Sequence, residues 1–255
     1  MDNLKKFYNI LNYEMAVLNY PAVSWLQEEN KIIFDPAFGG LTVYYYITDT
    51  ENEVTLFNGR GSSSSSSSES GGGGALPTRM IVDGNNEVVI NTWRFDTEGE
   101  HIVQYTFENN EIPAEFLRNI DGNLAEITKI EIGIDITAIP DAPEFGGAFS
   151  FNGSLTSVTI SDSVTSIGSS AFDSCSSLQE VTIPSGVTNI GDGAFSECGG
   201  LQSVTILAPT PPTFGAYPFG NPYGPSFPIY VPADSLGAYQ NALGDYTSRI
   251  QAIPQ

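Results

Sequence analysis

The sequence predicts a protein that is mainly β with some α. Its centre is a short solenoid of 23-residue repeats, with a β cap before it and a strand-helix cap after it. A small α+β domain is expected at the amino terminus. Three observations carry this. Leu155, Leu178 and Leu201 recur at one spacing, together with Val158, Val181 and Val204, and Ile160, Ile183 and Ile206. Within the two full repeats, Val164 matches Val187, Ile167 matches Ile190, and Ala171-Phe172 matches Ala194-Phe195. Cys175 also falls on Cys198. A period of this size marks units that bury their apolar rows against their neighbours.

The spacing within one repeat gives its construction. In Val-Thr-Ile the two β-branched residues share one face of a short strand, and the Thr points the other way. Val164 and Ile167 supply a second inward pair on the opposite wall. Gly168 and Gly191 are expected in backbone conformations that other residues avoid. Ala-Phe plugs the core, and each Cys closes its repeat as a small buried apolar group. The register and the Ile-Gly-x-x-Ala-Phe-x-x-Cys run resemble the BspA-like leucine-rich repeats of surface proteins of gut and oral bacteria and of proteins of their phages. The resemblance spans about residues 110–255.

Residues 3–18 precede this region and read as an amphipathic helix. Leu4, Phe7, Leu11, Met15 and Leu18 fall at helical spacing, and Pro21 ends the helix. That face is either core or a docking surface for a partner, anchored by Leu4, Phe7 and Leu11. Lys31–Phe34 reads as a strand. Leu41–Ile47 and Val54–Phe57 flank a polar turn and read as a hairpin. Residues 1–58 therefore form a small anchoring domain, with a core so modest that a partner or neighbouring subunits would help it. Residues 59–74 carry seven consecutive serines from Ser62 to Ser68 and four consecutive glycines from Gly71 to Gly74. Such a composition buries no core and reads as a flexible tether with a reach of roughly 20–25 Å.

Residues 75–111 resume as strands and are expected to cap the open end of the solenoid. A hairpin turns around Asp83–Asn86. A second pair, Thr92–Phe95 with His101–Phe107, turns at Glu98-Gly99. His101, the sole histidine, is expected at the surface of a strand edge. Degenerate repeats begin at Ile112, where Ile112-Pro-Ala-Glu-Phe116 echoes the consensus one residue too long. Pro140–Gly147 is an insertion expected to bulge as a loop. The repeats occupy 112–206 and the carboxy-terminal cap 207–255. In that cap Phe214, Tyr217, Phe219, Tyr223 and Phe227 form either core or a sugar-binding platform. Pro228–Val231 is read as the last strand. Leu236, Tyr239 and Leu243 give the packed face of a helix that Gly244 ends. The run Ile229-Tyr-Val-Pro-Ala-Asp-Ser-Leu-Gly-Ala-Tyr239 resembles the carboxy-terminal cap of BspA-like proteins.

Composition excludes several functions. The formal charge of −21, from 30 acidic and 9 basic residues, repels phosphate backbones, so no nucleic-acid partner is expected. Two cysteines at equivalent positions read as buried thiols rather than a disulfide framework. A bridge between them is not needed. One histidine cannot serve these cysteines as a catalytic base, nor complete a zinc site. The glycine tract at 71–74 runs into Ala-Leu-Pro and is no phosphate loop. No cofactor, metal or enzymatic activity is expected. No apolar run is long enough to span a membrane, and the first residues lack the unbroken apolar core of an export signal.

What remains is a surface. Thr159, Thr182 and Thr205 stand outward, one per repeat, about 5 Å apart. Such a ladder is good strand chemistry and also a hydroxyl-bearing face for a glycan or protein. The resemblance to phage fibre-type proteins implies a non-enzymatic virion component that contacts a bacterial surface. In it, residues 1–58 dock on other virion proteins and the chain is a homo-oligomer. A bacterial cell-surface adhesin is the alternative.

Overall fold

The computed structural model describes residues 27–28, 31–32, 39–57 except 49 and 52, 77–87 except 84, 92–119 except 115, 125–141, 146–221 and 226–254. The chain divides into two compact units, Met1–Phe38 and Gly39–Gln255. In the first, β1 (Gln27–Glu28) pairs antiparallel with β2 (Lys31–Ile32). The expected helix at 3–18, with Leu4, Phe7 and Leu11, lies outside the described residues. So do Ile33-Phe34 of the expected strand and the Ser/Gly tract at 59–74.

The second unit is mostly β. Its strands before the repeats are β3 (Leu41–Ile47), β4 (Val54–Thr55), β5 (Arg79–Val82), β6 (Asn85–Glu87), β7 (Thr92–Trp93) and β8 (Gly99–Thr106). The chain then alternates between two walls. One wall takes β9 (Glu126–Ile132), β11 (Ser157–Ile160), β13 (Glu180–Ile183) and β15 (Ser203–Ile206). The other takes β10 (Ala138–Ile139), β12 (Ser166–Ile167), β14 (Asn189–Ile190) and β16 (Thr213–Phe214). After β17 (Ile229–Val231) comes helix α1 (Leu236–Ala242), and β18 (Ile250–Ala252) follows. The short wall is a four-stranded parallel sheet, ordered β10-β12-β14-β16. The long one has ten strands in the order β18-β17-β15-β13-β11-β9-β3-β8-β5-β6. From β9 to β18 all its neighbours are parallel. Parallel strands in register, returning at a fixed chain interval, are what a leucine-rich-type repeat requires.

The inward rows are those read from the sequence. Leu155 and Leu178 are fully buried and Leu201 nearly so, and Val164, Ile167, Val187 and Ile190 line the short wall. Phe149, Phe172, Phe195 and Phe219 form a stack, with centroids 5.1, 5.1 and 6.0 Å apart. The first two intervals are close to the spacing of adjacent strands, so each ring lies on the next, worth about 0.5–1.5 kcal/mol per pair beyond burial. Cys175 and Cys198 are free and buried. Each Sγ donates to the Phe carbonyl of the preceding repeat, Cys175 to Phe149 O at 3.3 Å and Cys198 to Phe172 O at 3.1 Å. Asn152 takes the same position one repeat earlier and donates from Nδ2 to Leu117 O at 2.7 Å.

Several expectations are corrected. Gly168 and Gly191 do not have positive φ. They are small because neighbouring backbone passes too close: a Cβ on Gly168 would overlap the Pro140 carbonyl, and one on Gly191 the Ser169 nitrogen. Left-handed residues fall elsewhere, at Ser170 and Gly193 and again at Phe151, Ser174 and Glu197. The extra residue in the first degenerate repeat also has a resolution. Leu117 N donates to Ala148 O as Phe149 N does to Ala171 O, so Leu117, not Phe116, takes the Phe position. Phe116 turns instead into a cluster with Phe57, Tyr105 and Phe107, at centroid distances of 5.0–5.1 Å. Residues 142–145 of the insertion lie outside the described residues. Around them register is kept, with Ala138 opposite Ser166 and Ile139 opposite Ile167. Asp141 Oδ1 accepts from Ser169 N at 2.7 Å.

The largest correction concerns Leu41–Ile47. It forms no hairpin with Val54–Phe57 and does not belong to a separate anchor. Strand β3 runs between β8 and β9, antiparallel to both, and joins the cap to the repeats. Leu41, Val43, Tyr45 and Ile47 are buried on its inner side. Strand β4 pairs with β7 rather than β3. That also replaces the expected pairing of Thr92–Phe95 with His101–Phe107. The expected hairpin at Asp83 is present, as β5 pairs with β6. Strands before and after residues 59–74 thus share one body, so the tract links parts of a single unit rather than anchor to head.

His101 is not a surface residue either. It is 7% exposed and lies against Phe95, centroids 4.2 Å apart. Its Nδ1 is 2.7 Å from Asp83 Oδ2 and its Nε2 is 2.8 Å from Thr97 O. Asp83 Oδ1 also accepts from Ile102 N at 2.9 Å. The histidine therefore ties the β5 turn to β8.

At the carboxy end, Tyr239 and Leu243 are buried and Leu236 is half-buried, as read. The α-helix stops at Ala242, and Gly244–Arg249 continue as a 3-10 turn rather than ending at Gly244. The expected last strand, Pro228–Val231, is strand β17 over Ile229–Val231 and is not the last: β18 adds beside it in parallel.

Candidate functional site

The outer side of the long sheet is set by strand alternation. On β11, β13 and β15 the Val and Ile of Val-Thr-Ile go inward, so the Thr must stand outward. Thr159 and Thr182 are exposed. Thr205 is half-buried rather than exposed, and lies opposite Thr182 on one side and Tyr230 on the other. Thr159 lies opposite Glu131. A second outward row runs through Lys129, Ser157, Glu180 and Ser203. The face is therefore short hydroxyls bordered by carboxylates.

Strand β3 extends this face through Tyr44 and Tyr46, which alternate with its inward residues; Thr42, on the same side, is buried and accepts from Gln104 Nε2 at 3.4 Å. Tyr44 pairs across to Lys129 and Thr42 to Glu131. Lys129 Nζ lies 4.5 Å from the Tyr44 ring centroid and 2.5 Å from Glu131 Oε1. Burial, then the Glu131 charge, pushes the Tyr44 phenol up. For the Lys129 ammonium, burial acts downward but Glu131 outweighs it, and the net direction is up. Tyr46 is 48% exposed. The sequence reading missed Tyr44, Tyr46 and Lys129 as parts of one face. The available signal was the Thr42-Tyr44-Tyr46 alternation, but nothing local told which strands β3 would join.

The threonines selected from the sequence are thus brought onto one sheet face. Leu4, Phe7 and Leu11 lie outside the described residues. Among the described residues, no group of three or more His, Cys, Asp or Glu side chains is placed to hold a metal ion. No helix there is long and apolar enough to cross a membrane.

Residues 146–222 match the family described as "BspA type Leucine rich repeat region (6 copies)". The match is narrower than the resemblance read from the sequence. It leaves out the degenerate repeats before residue 146 and the strand-helix cap. No curated protein matches the chain. Over residues 146–222, then, this chain carries a repeat region of the BspA leucine-rich type, inside a mostly β unit of parallel strands.

Proposed function

We propose that the chain is a non-enzymatic adhesion module. Its repeats form a short solenoid, and the outer face of the long sheet meets a bacterial surface glycan or protein. The observation that carries this is the make-up of that face. Thr159, Thr182 and the Tyr44–Lys129–Glu131 group are held on rigid strands and project groups suited to contact. BspA-type repeats fit such a role. At the finer level, the chain is a structural component of a virion, fibre or decoration, and works as a homo-oligomer. Because Leu41–Ile47 are taken up by the long sheet and Val54–Thr55 pair with β7, docking on other virion proteins falls to residues 1–38. A bacterial cell-surface adhesin is the second reading, favoured by the repeat type itself.

The contact role is tested by binding of the labelled full chain to bacterial cells. Thr182→Arg places a long cation in the middle of the face without touching the core. It is expected to lower cell binding at least about tenfold, the effect of one ill-fitting central contact, with the melting temperature unchanged. Binding equal to wild type would remove the face from the account. Quantitative mass spectrometry of purified virions decides location. A fixed copy number per particle supports the virion, and absence from particles with presence on cell envelopes supports the adhesin.

A further inference from the structure

A groove lies between the last repeat and the capping helix. Residues Phe214 to Pro218 form one wall and Ala242 to Tyr246 the other, around a volume of about 300 Å³. That is the lower end for pockets that hold small ligands. Tyr217 sits on the rim and is 55% exposed.

Tyr217 keeps the backbone of its repeat position but breaks the rule by its size. Its backbone is left-handed, φ 48°. The matching residues of the two preceding repeats are Ser170 and Gly193, at φ 53° and 56°. Their equivalence follows from the hydrogen bonds: Gly220 N donates to Tyr217 O as Ser196 N does to Gly193 O and Asp173 N to Ser170 O. The position therefore suits a small residue, and a bulky one is strained there. The ring gains little packing in return, since over half of it faces water. An outlier of this kind, next to a groove, points to a use for the ring itself.

The lining indicates the ligand. Tyr217 offers an exposed ring and Phe214 a half-buried one, and Asp245 offers an exposed carboxylate. The Tyr246 hydroxyl is already donated to Gly220 O, so it serves the wall and not a ligand. No Lys or Arg lines the groove, and the chain carries −21, so anionic ligands are repelled. A wholly apolar ligand would strand the carboxylate. A neutral sugar satisfies both sides, with its C–H face on the Tyr217 ring and its hydroxyls donating to Asp245. We propose that this groove binds a terminal sugar unit of a neutral glycan. The proposal deepens the adhesion reading and rests on it.

The test uses the full chain on an array of neutral hexose and N-acetylhexosamine oligosaccharides beside sialylated and phosphorylated ones. Wild type is expected to retain neutral glycans and not anionic ones. Tyr217→Gly relieves the left-handed strain, so its melting temperature should not fall, while retention drops about tenfold, as for loss of one aromatic contact. Asp245→Asn should weaken retention without opening the groove to anions. Retention unchanged in Tyr217→Gly, preference for anionic glycans, or no neutral glycan retained would each overturn the proposal. If Thr182→Arg abolishes cell binding while Tyr217→Gly leaves it intact, this groove is wrong and the adhesion reading stands. If neither variant changes cell binding, both fail.

Discussion

Gly191 and Gly193 lie two residues apart and are held for different reasons. Gly191 has backbone of the preceding repeat against it, Ser169 and Gly168, and a Cβ there would meet atoms that cannot swing away. Gly193 has room, with only ordinary contact near a Cβ, but its φ is +56°. Gly193→Ala is therefore expected to cost about 1 kcal/mol, the left-handed penalty alone. Gly191→Ala is expected to cost about 3 kcal/mol, because the repeats must part to admit the methyl. Urea unfolding midpoints of the two variants check the order, and a smaller loss at Gly191 would refute the close-approach argument. The sequence shows Gly recurring at 168 and 191, while the column of Gly193 also holds Ser170 and Tyr217, and neither pattern names the constraint. His101 has a similar lesson. A lone polar residue beside a turn reads as exposed, and its burial follows only from Asp83 arriving on another strand.

The segment from Ser235 to Tyr246 is held to residues 208–220 by two phenols and a serine. Tyr239 donates to Ala208 O at 2.7 Å, Tyr246 to Gly220 O, and Ser235 Oγ to Pro209 O at 2.6 Å. Burial pushes both tyrosines up from 10.0 to about 12, and the Cys198 thiol from 9.0 to about 12. Raised values mean that the folded state holds these protons more tightly. Their stabilisation is complete below pH 9, begins to be lost at Cys198 above it and at the tyrosines above pH 10, and is gone beyond pH 12. Unfolding midpoints should be level to about pH 9 and then fall steadily. A midpoint unchanged at pH 11 would contradict this. Both thiols should also resist alkylation at pH 8 until the chain is unfolded. At this scale the repeats were legible because each Val-Thr-Ile strand meets a copy of itself at a fixed interval. The partners of β3 were not legible. They lie some sixty and ninety residues away, in segments that do not resemble it, and alternation alone leaves pairing open.

Across the whole molecule, one sheet runs from the β cap through β3 into the repeats and on to β18. A terminal repeat cannot leave its apolar rows open. At the amino end they are covered by β3, β8 and β5, together with Phe57, Tyr105, Phe107 and Phe116. At the carboxy end they are covered by β17, β18 and α1. The Ser/Gly tract misled the sequence reading because a segment whose composition offers nothing apolar to bury reads as a domain boundary. Composition cannot reveal that the strands on its two sides pair with one another. The outward threonines were legible for the same reason as the core, since one alternation fixes both faces. Their neighbours Tyr44 and Lys129 emerged only with the pairing of β3 and β9.

Thermal unfolding of two shortened chains tests this arrangement most directly. A chain beginning at Gly39 keeps all of the sheet and should melt with the same main transition as the full protein. A chain beginning at residue 59 lacks β3 and β4, which leaves β9 without its antiparallel neighbour and bares Tyr105 and Phe116. It should melt well below the full protein or fail to fold. If instead the chain from residue 59 melts with the full protein, Leu41–Ile47 is no part of the body that carries the repeats.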